Sequence, residues 1–219
     1  MATDEVALVT RAERAERLHG IYAIVNEGPR TLTVANAALD AGVRIVQYRA
    51  KAGIVAEHLQ SLRERTRACG ALLIVNDDWR AALAFDCDGV HLGPGDEGFA
   101  AVAPVREALR DRLIGLSCGT VDEALRADGE DADYLGVGAV YATGSKDDAG
   151  VPIGIDGLRA IAAVSRYPVA AIGGITPASI HAVRATGVAM AAVIAAIASA
   201  SDPEAAARAL VECWHAGRG

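Results

Sequence analysis

Eight short apolar runs recur along the chain, each followed by a more polar, alanine-rich segment. They read GIYAIV (20–25), RIVQYR (44–49), ALLIVN (71–76), GVHLG (89–93), LIGLS (113–117), YLGVG (134–138), PVAAIG (168–173) and AMAAVI (189–194). Length and β-branched content mark them as strands. The segments between them carry helical spacing, as in VANAALDAG (34–42), DEALRADGEDA (122–132) and SIHAVRATG (179–187). Several close on a glycine, which suits a helix C-terminus. Strand alternating with helix predicts right-handed βαβ units on a parallel sheet. Eight such units in 219 residues predict an α/β fold, a compact (β/α)₈ TIM barrel forming one domain over residues 1–219, with residues 1–19 a helical extension. An open doubly wound sheet is the alternative, because counting runs does not establish closure.

The polar residues that break this pattern gather at the ends of the runs. In RIVQYRAK, Gln47, Arg49 and Lys51 fall at every second position, so a strand aims them to one face. Run three ends in Asn76, Asp77 and Asp78, and run four leads through HLGPGD to Asp96. Run five ends at Ser117, run six leads to Thr143, Ser145 and Lys146, and run seven ends in GGIT. A lone Asp after a strand is ordinarily a helix cap or turn residue. Polar groups at six of eight strand ends, on the rim where barrels hold their active sites, point to function. The longest irregular segment, YATGSKDDAGVPIG (141–154), falls on that same rim. LGVGAVYATG lacks the third glycine and following helix of a dinucleotide fingerprint, so it reads as glycines at a crowded strand end.

Composition narrows the partners. The chain is 52% hydrophobic and only 4% aromatic, which fits buried parallel strands under alanine-rich helices. A net charge of −7 argues against nucleic acid or an anionic membrane surface as a partner. Four scattered cysteines, without metal-type spacing, read as free thiols of a reducing cytosol. VAMAAVIAAIASA is too short for a membrane span, and the N-terminus does not read as a signal peptide, so the expected location is cytoplasmic. A homo-oligomer is compatible with the sequence.

Against that negative balance, Arg49, Lys51 and Lys146 converge on one mouth and call for a highly charged anion such as a diphosphate. Asp77 and Asp96 offer hard oxygen ligands from neighbouring strand ends, the usual arrangement for Mg²⁺ held jointly with substrate phosphates. Gly173–Gly174 offers backbone N–H groups to a second phosphate. Of the histidines, His58, His181 and His215 read as solvated helix positions and His91 as a core hydrogen-bonding residue; Trp214 reads as packing.

These residues resemble the thiamine-phosphate synthase family. QYRAK (47–51), VNDD (75–78), GVHLGPGD (89–96), GVGAVYATGSK (136–146) and AIGGIT (171–176) are similar to its motifs, in order and on the expected strands. The resemblance implies a (β/α)₈ transferase that joins hydroxymethylpyrimidine diphosphate to hydroxyethylthiazole phosphate and releases pyrophosphate. It implies a dissociative step, in which the diphosphate leaves before the thiazole nitrogen attacks, with Mg²⁺ as cofactor. Gln47, Tyr48, Arg49, Ala50, Lys51, Asn76 and Lys146 would hold the pyrimidine diphosphate, with Ser117 beside the pyrimidine. Thr143, Gly144, Ser145, Gly174 and the backbone at Ile194–Ala195 would receive the thiazole phosphate. Arg49, Lys51, Lys146 and Ser117 would serve catalysis, and Asp77 and Asp96 the metal.

The chain departs from the pattern at Pro94-Gly95, Gly119, Ala142 and Ala195, none of which removes a metal ligand or a cation. Two rival readings are a thiazole tautomerase paralogue and a non-catalytic protein that binds thiamine precursors. The first tends to lack the acidic pair and to use a histidine near position 119, where this chain has glycine.

Overall fold

A computed structural model describes residues 9–144 and 151–216. Its strands are β1 (Gly20–Asn26), β2 (Ile45–Arg49), β3 (Leu72–Asn76), β4 (Gly89–Leu92), β5 (Leu113–Cys118), β6 (Tyr134–Gly138), β7 (Val169–Ile172) and β8 (Met190–Val193). Each falls within a residue or two of its apolar run. All pair in parallel in chain order, and β8 returns to β1 with Gly20 opposite Met190 and Ala23 opposite Val193. That pairing closes the barrel and excludes the open sheet.

Helices α1 (Arg11–Ala15), α2 (Thr31–Asp40), α3 (Ala56–Ala68), α4 (Trp79–Ala84), α5 (Val102–Leu109), α6 (Val121–Ala127), α7 (Gly154–Val164), α8 (Ile180–Arg184), α9 (Ala195–Ala198) and α10 (Pro203–His215) fill the connections. Strand alternation divides the core into two layers. Ile24, Ile45, Leu72, Ile74, Leu113 and Met190 fill the lumen. Val25, Val46, Leu73, Val75, Val90 and Ile114 face outward and pack beneath the helices.

The expected helix over 122–132 is shorter in the structure. Thr120 and Glu123 start α6 with a reciprocal capping box, and it ends at Ala127. Part of the polar tail is used elsewhere: Asp131 pairs with Arg11 at 2.7 Å, and the adjoining Asp133 carboxylate takes Arg11 and Arg106, each at 2.6 Å, and the Ile114 N–H. A second buried carboxylate, Asp88, takes Arg14 at 3.2 Å and Arg63 at 2.8 Å. Through Arg14 the short α1 is held to the strand N-termini, and Leu18 behind it enters the lumen cluster. The stable end of the barrel therefore lies opposite the strand C-termini.

His58 is not the solvated position expected: it is half-buried, its Nδ1 3.0 Å from the Glu27 carboxylate. Residues 31 apart carry no spacing signal for such a contact. His181 and His215 are exposed, and Trp214 is buried in the outer layer.

Candidate active site

The ends of β2 to β4 carry the charge. Arg49 closes β2 half-buried, with Nη1 3.1 Å from the Asn26 Oδ1 at the end of β1. Just past the strand, Lys51 Nζ lies 2.8 Å from Asp77 Oδ2. Asp77 follows β3 with φ 67°, in the left-handed region, and its N–H donates to the His91 carbonyl on β4. Its carboxylate also meets that of Asp96, which accepts from the Gly93 N–H at 2.6 Å. Burial and then the neighbouring Asp77 hold the Asp96 carboxyl above its ordinary value, only partly offset by that N–H and by Lys51. Two carboxylates pressed together beside a lysine form a donor set that fits a hard divalent cation, whose charge would relieve their repulsion. No group of three potential metal-ligating side chains occurs among the described residues, so further oxygens would come from substrate and water. Asp78 does not join them; its side chain caps α4 at the Ala81 N–H.

Beside this charged rim, over β5 to β8, opens a cavity of about 810 Å³. Thr143, Gly144, Gly174, Ile194 and Ala195, expected to receive the thiazole phosphate, all line it, and so does Ser117, expected beside the pyrimidine. Gly174, at φ 64°, follows β7; a Cβ there would stand 2.7 Å from the Ala142 carbonyl oxygen. Only glycine permits both that conformation and that approach. Pro94 reaches the cavity from the β4 side, linking it to the loop that carries Asp96.

Not every expected residue reaches this mouth. Gln47 is 2% exposed and lies in the lumen below it, bonded to Tyr22. Tyr48 turns outward, its hydroxyl donating to Glu27 at 2.5 Å and accepting from the Val55 N–H, so it braces the loop after β2. Ala50 packs against the outer layer, and Asn76 is buried at the end of β3. Ser145 and Lys146 lie outside the described residues. Asn26 is an addition: the polar residue closing the first apolar run would have pointed to it, since it occupies the same place as the other rim residues.

Parallel closure, charge on one arc and glycine-walled space on the other define a barrel enzyme that handles phosphorylated small molecules. The family model described as thiamine monophosphate synthase matches residues 21–197, and the chain belongs to that family. A thiamine-phosphate synthase of Moorella thermoacetica is 44% identical over 197 residues, 88% of this chain and 92% of that one. Another, of Archaeoglobus fulgidus, is 49% identical over 183 residues, 82% and 84% of the two chains. The solved thiamine phosphate pyrophosphorylase of Pyrococcus furiosus superposes with a TM-score of 0.84 at 35% identity, covering 92% of this chain and 98% of its own. The chain is accordingly a transferase of thiamine biosynthesis, and neither rival reading is favoured. No described helix is long and apolar enough to cross a membrane.

Proposed function

We propose that the enzyme condenses 4-amino-2-methyl-5-hydroxymethylpyrimidine diphosphate with hydroxyethylthiazole phosphate, giving thiamine phosphate and pyrophosphate. The observation that carries this reading is the contact row Lys51–Asp77–Asp96, set at the edge of the glycine-walled cavity. It supplies one place for a diphosphate with its counter-charges and an adjoining place for a second phosphorylated ring.

In this account the bond between the pyrimidine methylene and the diphosphate oxygen breaks first, its electron pair leaving with pyrophosphate. The thiazole nitrogen then gives its lone pair to the methylene carbon, so the exchange needs neither a protein nucleophile nor a proton transfer. Arg49 and Lys51 bind the departing diphosphate, a role this reading also gives to Lys146. Each cation about 4 Å from a phosphate charge contributes up to about 4 kcal/mol at an effective dielectric of 20, before desolvation. Asp77 and Asp96 would hold Mg²⁺, which when bound neutralises charge that accumulates on the leaving group. Gly174, Thr143 and the Ile194–Ala195 backbone, which line the cavity, orient the thiazole phosphate. The four free thiols, two of them buried, fit action in a reducing cytoplasm.

Pyrophosphate release is the test. It should require both substrates together with a divalent cation, and it should stop in excess EDTA. Full release in EDTA, or release from the pyrimidine diphosphate as readily without the thiazole phosphate, would refute the assignment.

A further inference from the structure

Beneath the mouth, a row of hydrogen-bonded polar side chains crosses the barrel lumen. Gln47 Nε2 donates to the Tyr22 hydroxyl at 2.7 Å. The Tyr22 and Tyr134 hydroxyl oxygens are 3.0 Å apart, and Tyr134 Oη lies 3.2 Å from His91 Nδ1. His91 Nε2 in turn lies 3.1 Å from Ser117 Oγ, which borders the substrate cavity. Strands β2, β1, β6, β4 and β5 thus contribute one member each, and all but Ser117 are buried.

The barrel makes room for these rings at the expense of its own side chains. A Cβ on Gly115 would stand 2.2 Å from Tyr134 Cζ, and one on Gly136 would stand 2.7 Å from His91 Cε1. Two glycines inside strands are unfavourable unless something occupies their space. Here the Tyr134 and His91 rings occupy it, which fixes their positions across the lumen.

Proton counting gives the row a direction. The Tyr22 oxygen accepts from Gln47, so its own hydrogen goes to Tyr134, its other partner. The Tyr134 hydrogen then goes to His91 Nδ1, which must be the bare nitrogen, leaving the hydrogen on Nε2. Burial raises the pKa of both phenols, so each remains a hydroxyl that can pass the direction on.

We propose that Gln47 fixes His91 as the Nε2–H tautomer, so that Ser117 accepts from His91 and presents its own hydrogen to the cavity as a donor. His91 is then a positioning residue for Ser117, and the cavity at β5 selects a ligand with a lone pair there. An unprotonated ring nitrogen of an aminopyrimidine meets that requirement. This last step rests on the proposed function; the direction of the row does not.

Nitrogen-15 NMR of the full chain labelled in its five histidines reads the tautomer without substrate. His91 is assigned by the resonance lost in His91→Gln. The wild type should show a protonated Nε2 and a bare Nδ1; any other protonation pattern overturns the proposal. In Gln47→Met, which removes the donor at the head of the row, the Nε2–H signal should give way to a mixture of tautomers. An unchanged signal there would show that Gln47 does not set the direction, and if this variant fails to fold, the wild-type spectrum still decides. Calorimetric binding of the pyrimidine diphosphate should weaken at least tenfold in Ser117→Ala. Unchanged binding would overturn the role of Ser117 as donor. Because the spectrum needs no substrate, its failure is distinct from any failure of the pyrophosphate assay.

Discussion

Asp77 carries strain that its neighbours do not. At φ 67° a residue with a Cβ sits about 1–2 kcal/mol above its relaxed conformations. The same residue faces Lys51 on one side and Asp96 on the other, so the conformation serves to aim a carboxylate. Asp77→Gly should therefore not lower stability in urea denaturation and should raise it by up to about 1 kcal/mol, since glycine relieves the strain at a smaller entropic cost. The lost Lys51–Asp77 pair is half-exposed and subtracts less than about 1 kcal/mol. Turnover should nonetheless fall by orders of magnitude. A glycine variant that is less stable yet active would show that the conformation serves the fold and not the proposed metal site.

At the scale of elements, the loop after β7 is the backbone that the proposed function assigns most directly to a ligand. Gly174→Ala would force a Cβ to 2.7 Å from the Ala142 carbonyl in a conformation alanine disfavours. Moving the loop should raise KM for the thiazole phosphate by tenfold or more, with KM for the pyrimidine diphosphate nearly unchanged; steady-state kinetics with each substrate varied in turn give the comparison. Equal effects on both constants would place the two phosphates differently.

The strands themselves were legible in the sequence because a fully buried parallel strand is an uninterrupted apolar run, and its polar end is the rim. That pattern reached Arg49, Asp77, Asp96 and Ser117. It also put Gln47 and Arg49 on one face, which is the lumen face, but not at one depth: Gln47 lies two residues further into the barrel. Tyr48, quoted within the same motif, is on the opposite face and braces the loop from outside. The Gln47–Tyr22–Tyr134–His91–Ser117 row joins five strands, and no local spacing encodes contacts that exist only once the barrel has closed. Glycines in the middle of β5 and β6 were its one trace in the sequence, readable as space kept for a ring.

Across the whole molecule, stability and chemistry occupy opposite ends. Asp88 anchors Arg14 of α1 and Arg63 of α3 beneath the strands. Asp88→Ala would leave two guanidinium groups buried without their carboxylate. It should cost about 3–5 kcal/mol in denaturant unfolding while leaving KM for both substrates unchanged in the folded fraction. A milder loss would mean that water reaches the arginines in the variant. At the other end, a chain of net charge −7 gathers cations where it must receive anions. In the proposed reaction those cations act during bond cleavage and not only during capture, because negative charge on the diphosphate grows as it departs. Single-turnover kinetics at saturating concentrations of both substrates and of Mg²⁺, comparing the wild type with Arg49→Ala and Lys51→Ala, measure this directly. The chemical step should slow about 10- to 100-fold in each variant, the loss expected for a charged hydrogen bond made in the transition state. A saturated rate equal to that of the wild type, with binding alone weakened, would contradict it.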